Sequence, residues 1–135
     1  MKLYAINNAG DQFQLLTPFF EALLPAFEDR ADEIRIEPVG AGLKLTYGDK
    51  SLSVPLPSSP HNYAWVVFPR ILILCEMSIA LEGAEQSGRF RVRCDNQFLT
   101  IDVTSKRDTD GGYLIFRPAW SSAKPDHESS HEISA

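Results

Sequence analysis

Hydrophobic and polar positions alternate with a period of two on both sides of one turn-prone dipeptide. Phe90, Val92 and Cys94 alternate with Arg89, Arg91 and Arg93; beyond Asp95-Asn96, Leu99, Ile101 and Val103 alternate with Thr100, Asp102 and Thr104. This pattern predicts a β-hairpin. A two-residue turn sets Val92 against Leu99 and Phe90 against Ile101 on an apolar face. On the polar face it sets Arg91 against Thr100 and Arg89 against Asp102, an opposite-charge pair. Tyr113–Phe116 reads as a third strand after a loop over Ser105–Gly112.

The spacing changes toward the N-terminus. Leu16, Phe19, Phe20, Leu23, Leu24 and Phe27 fall on one helical face and predict an amphipathic helix, its aromatics serving as core. Thr17 is the expected cap and Pro18 fits a first turn, while Pro25 is expected to kink or end the helix. Lys2–Ile6 reads as a short strand and Asn7–Asp11 as a turn. Glu33–Pro38 reads as a strand with Ile34 and Ile36 inward, and Gly40 and Gly42 as a turn. Leu43–Tyr47 and Leu52–Leu56 read as strands joined at Gly48-Asp49, and Pro55, Pro57 and Pro60 close that segment. His61–Leu81 reads as helical with Trp65, Phe68, Leu72 and Cys75 on one side, although Pro69 leaves Tyr63–Phe68 open to a strand. The expected fold is α+β: a mixed, mostly antiparallel sheet of about six strands with two main helices, in one domain over residues 1–120. Residues 121–135 are polar and are expected to form a disordered tail.

Composition narrows the function classes. Hydrophobic content of 44% in 135 residues is ample for a core. The net charge of −5 and pI near 5.1 argue against nucleic acid as main partner. Cys75 and Cys94 give no disulfide framework and are expected to be reduced, buried thiols. The opening MKLYAINNAG has no signal-like apolar stretch, and the apolar run Ala64–Cys75 is too short for a bilayer. A soluble, cytoplasmic protein without membrane insertion is expected.

Two motif-like stretches lack the context their chemistry needs. Gly83–Gly88 has the glycine spacing of a phosphate loop, but Arg89 and Phe90 follow where Lys and Ser or Thr would bind phosphate and magnesium. His127-Glu-Ser-Ser-His131 matches HExxH literally, yet no further ligand follows and no apolar face would bury a helix there. No metal and no cofactor are expected. Arg89, Arg91 and Arg93 line up on the hairpin's polar face and admit two readings, an anion site or a solvated, paired strand face.

Several segments, in order, resemble a known family. Ala31-Asp-Glu-Ile-Arg-Ile-Glu-Pro38 is similar to the ASDIHIEP stretch of the secretion ATPases that power type II secretion and type IV pili. Gly42-Leu-Lys-Leu-Thr-Tyr47 resembles their GLRVRY strand, and Met77–Arg89 resembles LDIAERRLPQDGR at the same spacing. Asp102-Val-Thr-Ser105 falls where the family has RVST, and Tyr113–Arg117 where it has a strand ending in Arg. The resemblance covers residues 16–118 and implies the amino-terminal, PAS-like domain that precedes the ATPase core; this sequence carries none of the core's motifs. In the family, arginines of this domain approach the nucleotide phosphates. Arg89 and Arg117 match two of them. The arginines of RYR become Thr46 and Gly48, that of RVST becomes Asp102, and the histidine of ASDIHIEP becomes Arg35. Thr, Gly and Asp supply neither the charge nor the donors for phosphate.

The expected function is that of a non-catalytic, stand-alone relative of that domain, a protein-binding or assembly module. Its expected partner is a secretion or pilus ATPase, or a second copy in a homo-oligomer. The alternative is a PAS-like small-ligand or anion sensor. Arg89, Arg91, Arg117 and Arg35 are the candidate anion or partner contacts, and no catalytic residue is assigned. An enzyme would rest on HESSH alone.

Overall fold

The alternation read from the sequence becomes the centre of an antiparallel sheet. The computed structural model describes residues 3–6, 16–39, 42–54, 64–78, 83–94, 97–107, 112–121 and 130–132. Its strands are β1 (Leu3–Ile6), β2 (Ile34–Val39), β3 (Gly42–Tyr47), β4 (Lys50–Val54), β5 (Glu85–Cys94), β6 (Gln97–Lys106), β7 (Tyr113–Ser121) and β8 (Ser130–Glu132). Helix α1 spans Thr17–Glu28 and α2 spans Ala64–Leu74. The described strands form one sheet in the order β4-β3-β2-β7-β6-β5-β1-β8. The fold is α+β as expected, but every described pair is antiparallel, so the sheet is not mixed.

The hairpin register follows the two-residue-turn rule: Val92 pairs with Leu99, Phe90 with Ile101, Arg91 with Thr100 and Arg89 with Asp102. The turn residues 95 and 96 lie outside the described residues. Both strands run further than the alternation indicates, from Glu85 and to Lys106, because ladder hydrogen bonds continue where side-chain patterning fades. β7 likewise continues past Arg117 to Ser121 and includes Pro118. β2 pairs with β7 only at residues 114–116, so Pro118 occupies a stretch with no described neighbour on its far side, where a missing N–H is tolerated.

The helices lie on one face of the sheet. Leu16, just before α1, and Phe19, Phe20, Leu23 and Phe27 within it are buried at helical spacing. Phe19 and Phe20 meet Phe116 and Phe90 edge-on, each with centroids 5.9 Å apart, and Phe90 meets Phe116 at 5.6 Å. These tilted contacts suit the ring quadrupoles and fix α1 over the middle of the sheet. The N-cap is Leu16 rather than Thr17, which is the first helical residue. Pro25 does not end the helix; it sits on the exposed side, and α1 continues to Glu28 because Ala26 and Phe27 remain in the core.

Helix α2 passes through Pro69 and buries Val67, Phe68, Ile71 and Leu72, which resolves the strand alternative over 64–68 in favour of helix. It stops at Leu74 and not at Leu81. Glu76 adopts φ 58° there, and the Met77 amide donates to the Leu72 carbonyl at 2.8 Å, closing the helix end. α1 ends the same way: Arg30 has φ 56°, and the Ala31 amide donates to the Ala26 carbonyl at 3.0 Å.

Other boundaries shift modestly. β4 begins at Lys50, two residues earlier than expected, because the Gly48-Asp49 turn pairs Tyr47 directly with Lys50. Gly48 supplies the positive φ of 57° that this turn uses. Asn7–Asp11, Gly40, residues 55–63 and residues 79–82 lie outside the described residues. Within the expected tail, Ser121 closes β7 and Ser130–Glu132 pairs with β1. No helix of the described residues is long and apolar enough to cross a membrane.

Candidate functional site

Strand alternation sends Phe90, Val92, Leu99, Ile101, Val103, Leu114 and Phe116 under the helices. Their neighbours point to the opposite face, which no described helix covers. The four candidate contact arginines, Arg89 and Arg91 on β5, Arg117 on β7 and Arg35 on β2, stand on this face, and alternation places Arg93 of β5 there too.

Register organises the face into rows. Asp102 is the cross-strand partner of both Arg89 and Arg117. Arg89 Nε lies 3.1 Å from its carboxylate. Arg117 turns the other way, to Glu33 at 2.9 Å, and donates to Thr104 Oγ1 at 3.2 Å. The row Arg89, Asp102, Arg117, Glu33 therefore alternates in sign across the strands. One step along, Arg35 pairs with Glu37 at 3.0 Å and lies 4.5 Å from the Tyr113 ring centroid. Tyr113 Oη donates to Glu85 at 2.9 Å. Three of the four arginines are thus held by carboxylates, while Arg91 makes no ion pair with any described residue. These pairs are half exposed, and each contributes up to about 1 kcal/mol.

A second polar cluster sits where α1 ends against the β3–β4 turn. A cleft of about 570 Å³ opens there, with Asp29, Asp32, Tyr47, Asp49 and Lys50 among its walls. Lys50 Nζ lies 2.6 Å from Asp29, and Tyr47 Oη donates to the same carboxylate at 3.2 Å. The hydrogen bond from Lys50 lowers the Asp29 pKa, and Asp29 in turn raises that of Lys50. Desolvation, then the Asp29 hydrogen bond, raises that of Tyr47. All three shifts move away from neutrality. Both the Lys50 ammonium and the Tyr47 hydroxyl thus donate to one Asp29 carboxylate oxygen, which ties the end of α1 to the β3–β4 turn. The sequence reading missed it, because Asp29 and Lys50 meet only through the tertiary fold.

The glycine-spaced stretch resolves into a structural role. Its second half is already β5, and a Cβ on Gly88 would stand 2.7 Å from the Cys75 carbonyl oxygen. Gln86 accepts from the Ser78 amide and donates to the Ser78 carbonyl, both at 2.9 Å, which fastens the chain after α2 to the strand. Ser130–Glu132 is extended, so this part of HESSH lacks the helical geometry that HExxH needs; His127 lies outside the described residues. Among the described residues no group of three or more His, Cys, Asp or Glu side chains converges as a metal site.

The chain is 30% identical over 92 residues to the type II secretion system protein E of Xanthomonas campestris pv. campestris. The match takes in 68% of this chain and 16% of that relative, so the chain corresponds to a small part of it. No family model matches.

Proposed function

We propose that this domain is a non-catalytic protein-binding or assembly module of a secretion or pilus system, acting in the cytoplasm. It docks on an ATPase of that system or associates with a second copy of itself. The similarity to a part of a type II secretion protein E supports the setting. The observation that carries the binding role is the sheet face that no described helix covers, on which Arg35, Arg89 and Arg117 are oriented by carboxylates and remain half exposed. Such a surface offers ordered charge to a partner.

The test is size-exclusion chromatography with light scattering of the purified chain, alone and mixed with the type II secretion protein E of the same organism. Co-elution, or a stable homo-oligomer, is the expected result. A monomer that binds neither would refute the reading, and ATP turnover by the chain alone would refute its non-catalytic part. The small-ligand or anion-sensor reading draws on Arg91, whose charge no described carboxylate meets; a retained anion in native mass spectrometry would favour it.

A further inference from the structure

Basic side chains outnumber acidic ones on the uncovered face, although the chain as a whole carries −5. Among the described residues the acidic excess lies off this face, which forms a positive patch on a chain of negative net charge. Most of its guanidinium groups are committed to carboxylates within the sheet. Arg91 on β5, Lys106 on β6 and Lys44 on β3 make no ion pair with any described residue. The register fixes their layout. Arg91 is opposite Thr100, six residues from Lys106 along β6. Lys106 pairs with Tyr113 on β7 and Lys44 with Glu37 on β2, and continuing the β2–β7 register one position past Ile36–Leu114 sets the two pairs in line. With a rise of about 3.3 Å per residue and about 4.8 Å between strands, these cations stand about 14 to 28 Å apart.

We propose that the uncovered sheet face, through Arg91, Lys106 and Lys44, docks an acidic, carboxylate-rich segment of a partner protein. This rests on the reading of the domain as a protein-binding module and names the surface and the chemistry of its partner. Two alternative occupants fit less well. A symmetric second copy would set the same basic face against itself, because an isologous contact apposes identical patches. A nucleic acid would have to approach a chain of net charge −5, and its regularly spaced phosphates would fall beside Glu33, Glu37 and Asp102 as often as beside cations. A polypeptide can place carboxylates over the free cations and neutral or basic groups over the paired ones. The patch spans about 20 Å by 20 Å at sheet spacings, about half the area a standard interface buries per partner, so the contact is a transient one.

The test uses the full chain and a fluorescent peptide of about twelve residues, serine throughout except for glutamates at about positions 1, 5 and 11, so that in extended form the carboxylates match the spacing of the free cations. Expected results are salt-sensitive binding that weakens at least about tenfold between about 50 and 300 mM salt, and a similar loss in the double variant Arg91→Glu, Lys106→Glu. The double alanine variant should lose less, and Glu21→Lys on the exposed side of α1 should change nothing. No peptide binding, binding indifferent to the reversal, or tighter binding of a single-stranded oligonucleotide than of the peptide would overturn the inference. A second arm measures the type II secretion protein E of the same organism. Equal binding by wild type and reversal variant would overturn this surface while leaving the protein-binding reading standing. Reversal-sensitive peptide binding without any binding of that protein would uphold the surface and remove that partner from the reading.

Discussion

Replacing Glu76 by glycine should stabilise the protein. Glu76 closes α2 in the left-handed region at φ 58°, with the Met77 amide bonded back to the Leu72 carbonyl. An L-residue there costs about 1–2 kcal/mol through Cβ crowding, which glycine avoids. Glycine's larger loss of freedom on folding returns about 0.5–1 kcal/mol of that gain. Glu76 is exposed and sits at a negative helix end, so removing its charge adds a few tenths of a kcal/mol. The net expectation is about 1 kcal/mol, or about 4 °C in Tm for a chain of this size. Glu76→Ala separates the contributions: it removes the charge and keeps the strained Cβ, so it should recover only the smaller part.

Arg30 provides the internal control. Its φ of 56° ends α1 in the same motif. Here the side chain works: the guanidinium carbon lies 3.9 Å from the Trp120 ring centroid, and Nη2 donates to Gln97 at 2.9 Å. An exposed cation–π contact of about 0.5–1 kcal/mol and a hydrogen bond of similar worth offset the backbone relief, so Arg30→Gly should be near neutral. Urea unfolding followed by circular dichroism reads both. A lower midpoint for Glu76→Gly, or a larger gain at Arg30 than at Glu76, would refute the reasoning.

Gly88→Ala should destabilise by about 1–3 kcal/mol in the same assay, because its Cβ would stand 2.7 Å from the Cys75 carbonyl oxygen and 2.8 Å from Cys75 Cβ, forcing β5 and the end of α2 apart. Burial pushes the Cys75 thiol up to about 12 from an ordinary value near 9. Its contribution is complete below pH 9 and is lost as pH rises toward 12, at about 1.4 kcal/mol per unit, because only the unfolded thiol ionises in that window. Cys75→Ala should flatten this alkaline slope while leaving the loss due to the raised Tyr47 and Lys50 groups. Asp102→Arg should cost about 1 kcal/mol or less, more at low salt than at high, by placing three arginines side by side in one row.

Local patterning carried much of this fold, and non-local pairing carried the rest. The hairpin register was legible because a one-residue slip would turn Val92 and Leu99 to solvent. The buried face of α1 was legible because its apolar residues recur at helical steps. The pairing of β2 with β7 was not, since no local signal ties Ile34 to Phe116. The partners of Arg117 and Arg35, Glu33 and Tyr113 among them, depend on that pairing. The end of α2 was missed for a different reason: a left-handed closing residue is read from glycine, and Glu76 and Arg30 give no such sign. The charges on the uncovered face were thus visible as residues but not as pairs.

The position of Asp102 explains why the face has this character. It lies between Arg89 and Arg117 on neighbouring strands, each about 4.8 Å away in the sheet. In the secretion ATPases that the sequence resembles, an arginine falls there, and three guanidinium groups in a row would repel one another unless an anion were shared among them. An aspartate makes the row self-sufficient: Arg89 takes its carboxylate, and Arg117 is left to Glu33. Thr46 has the same effect on β3, removing a cation opposite Arg35. The residues at these positions therefore balance the charge of the row within the sheet itself. What they leave unmatched, at Arg91, Lys106 and Lys44, is too widely spaced for one phosphate group and suits carboxylates distributed along a chain.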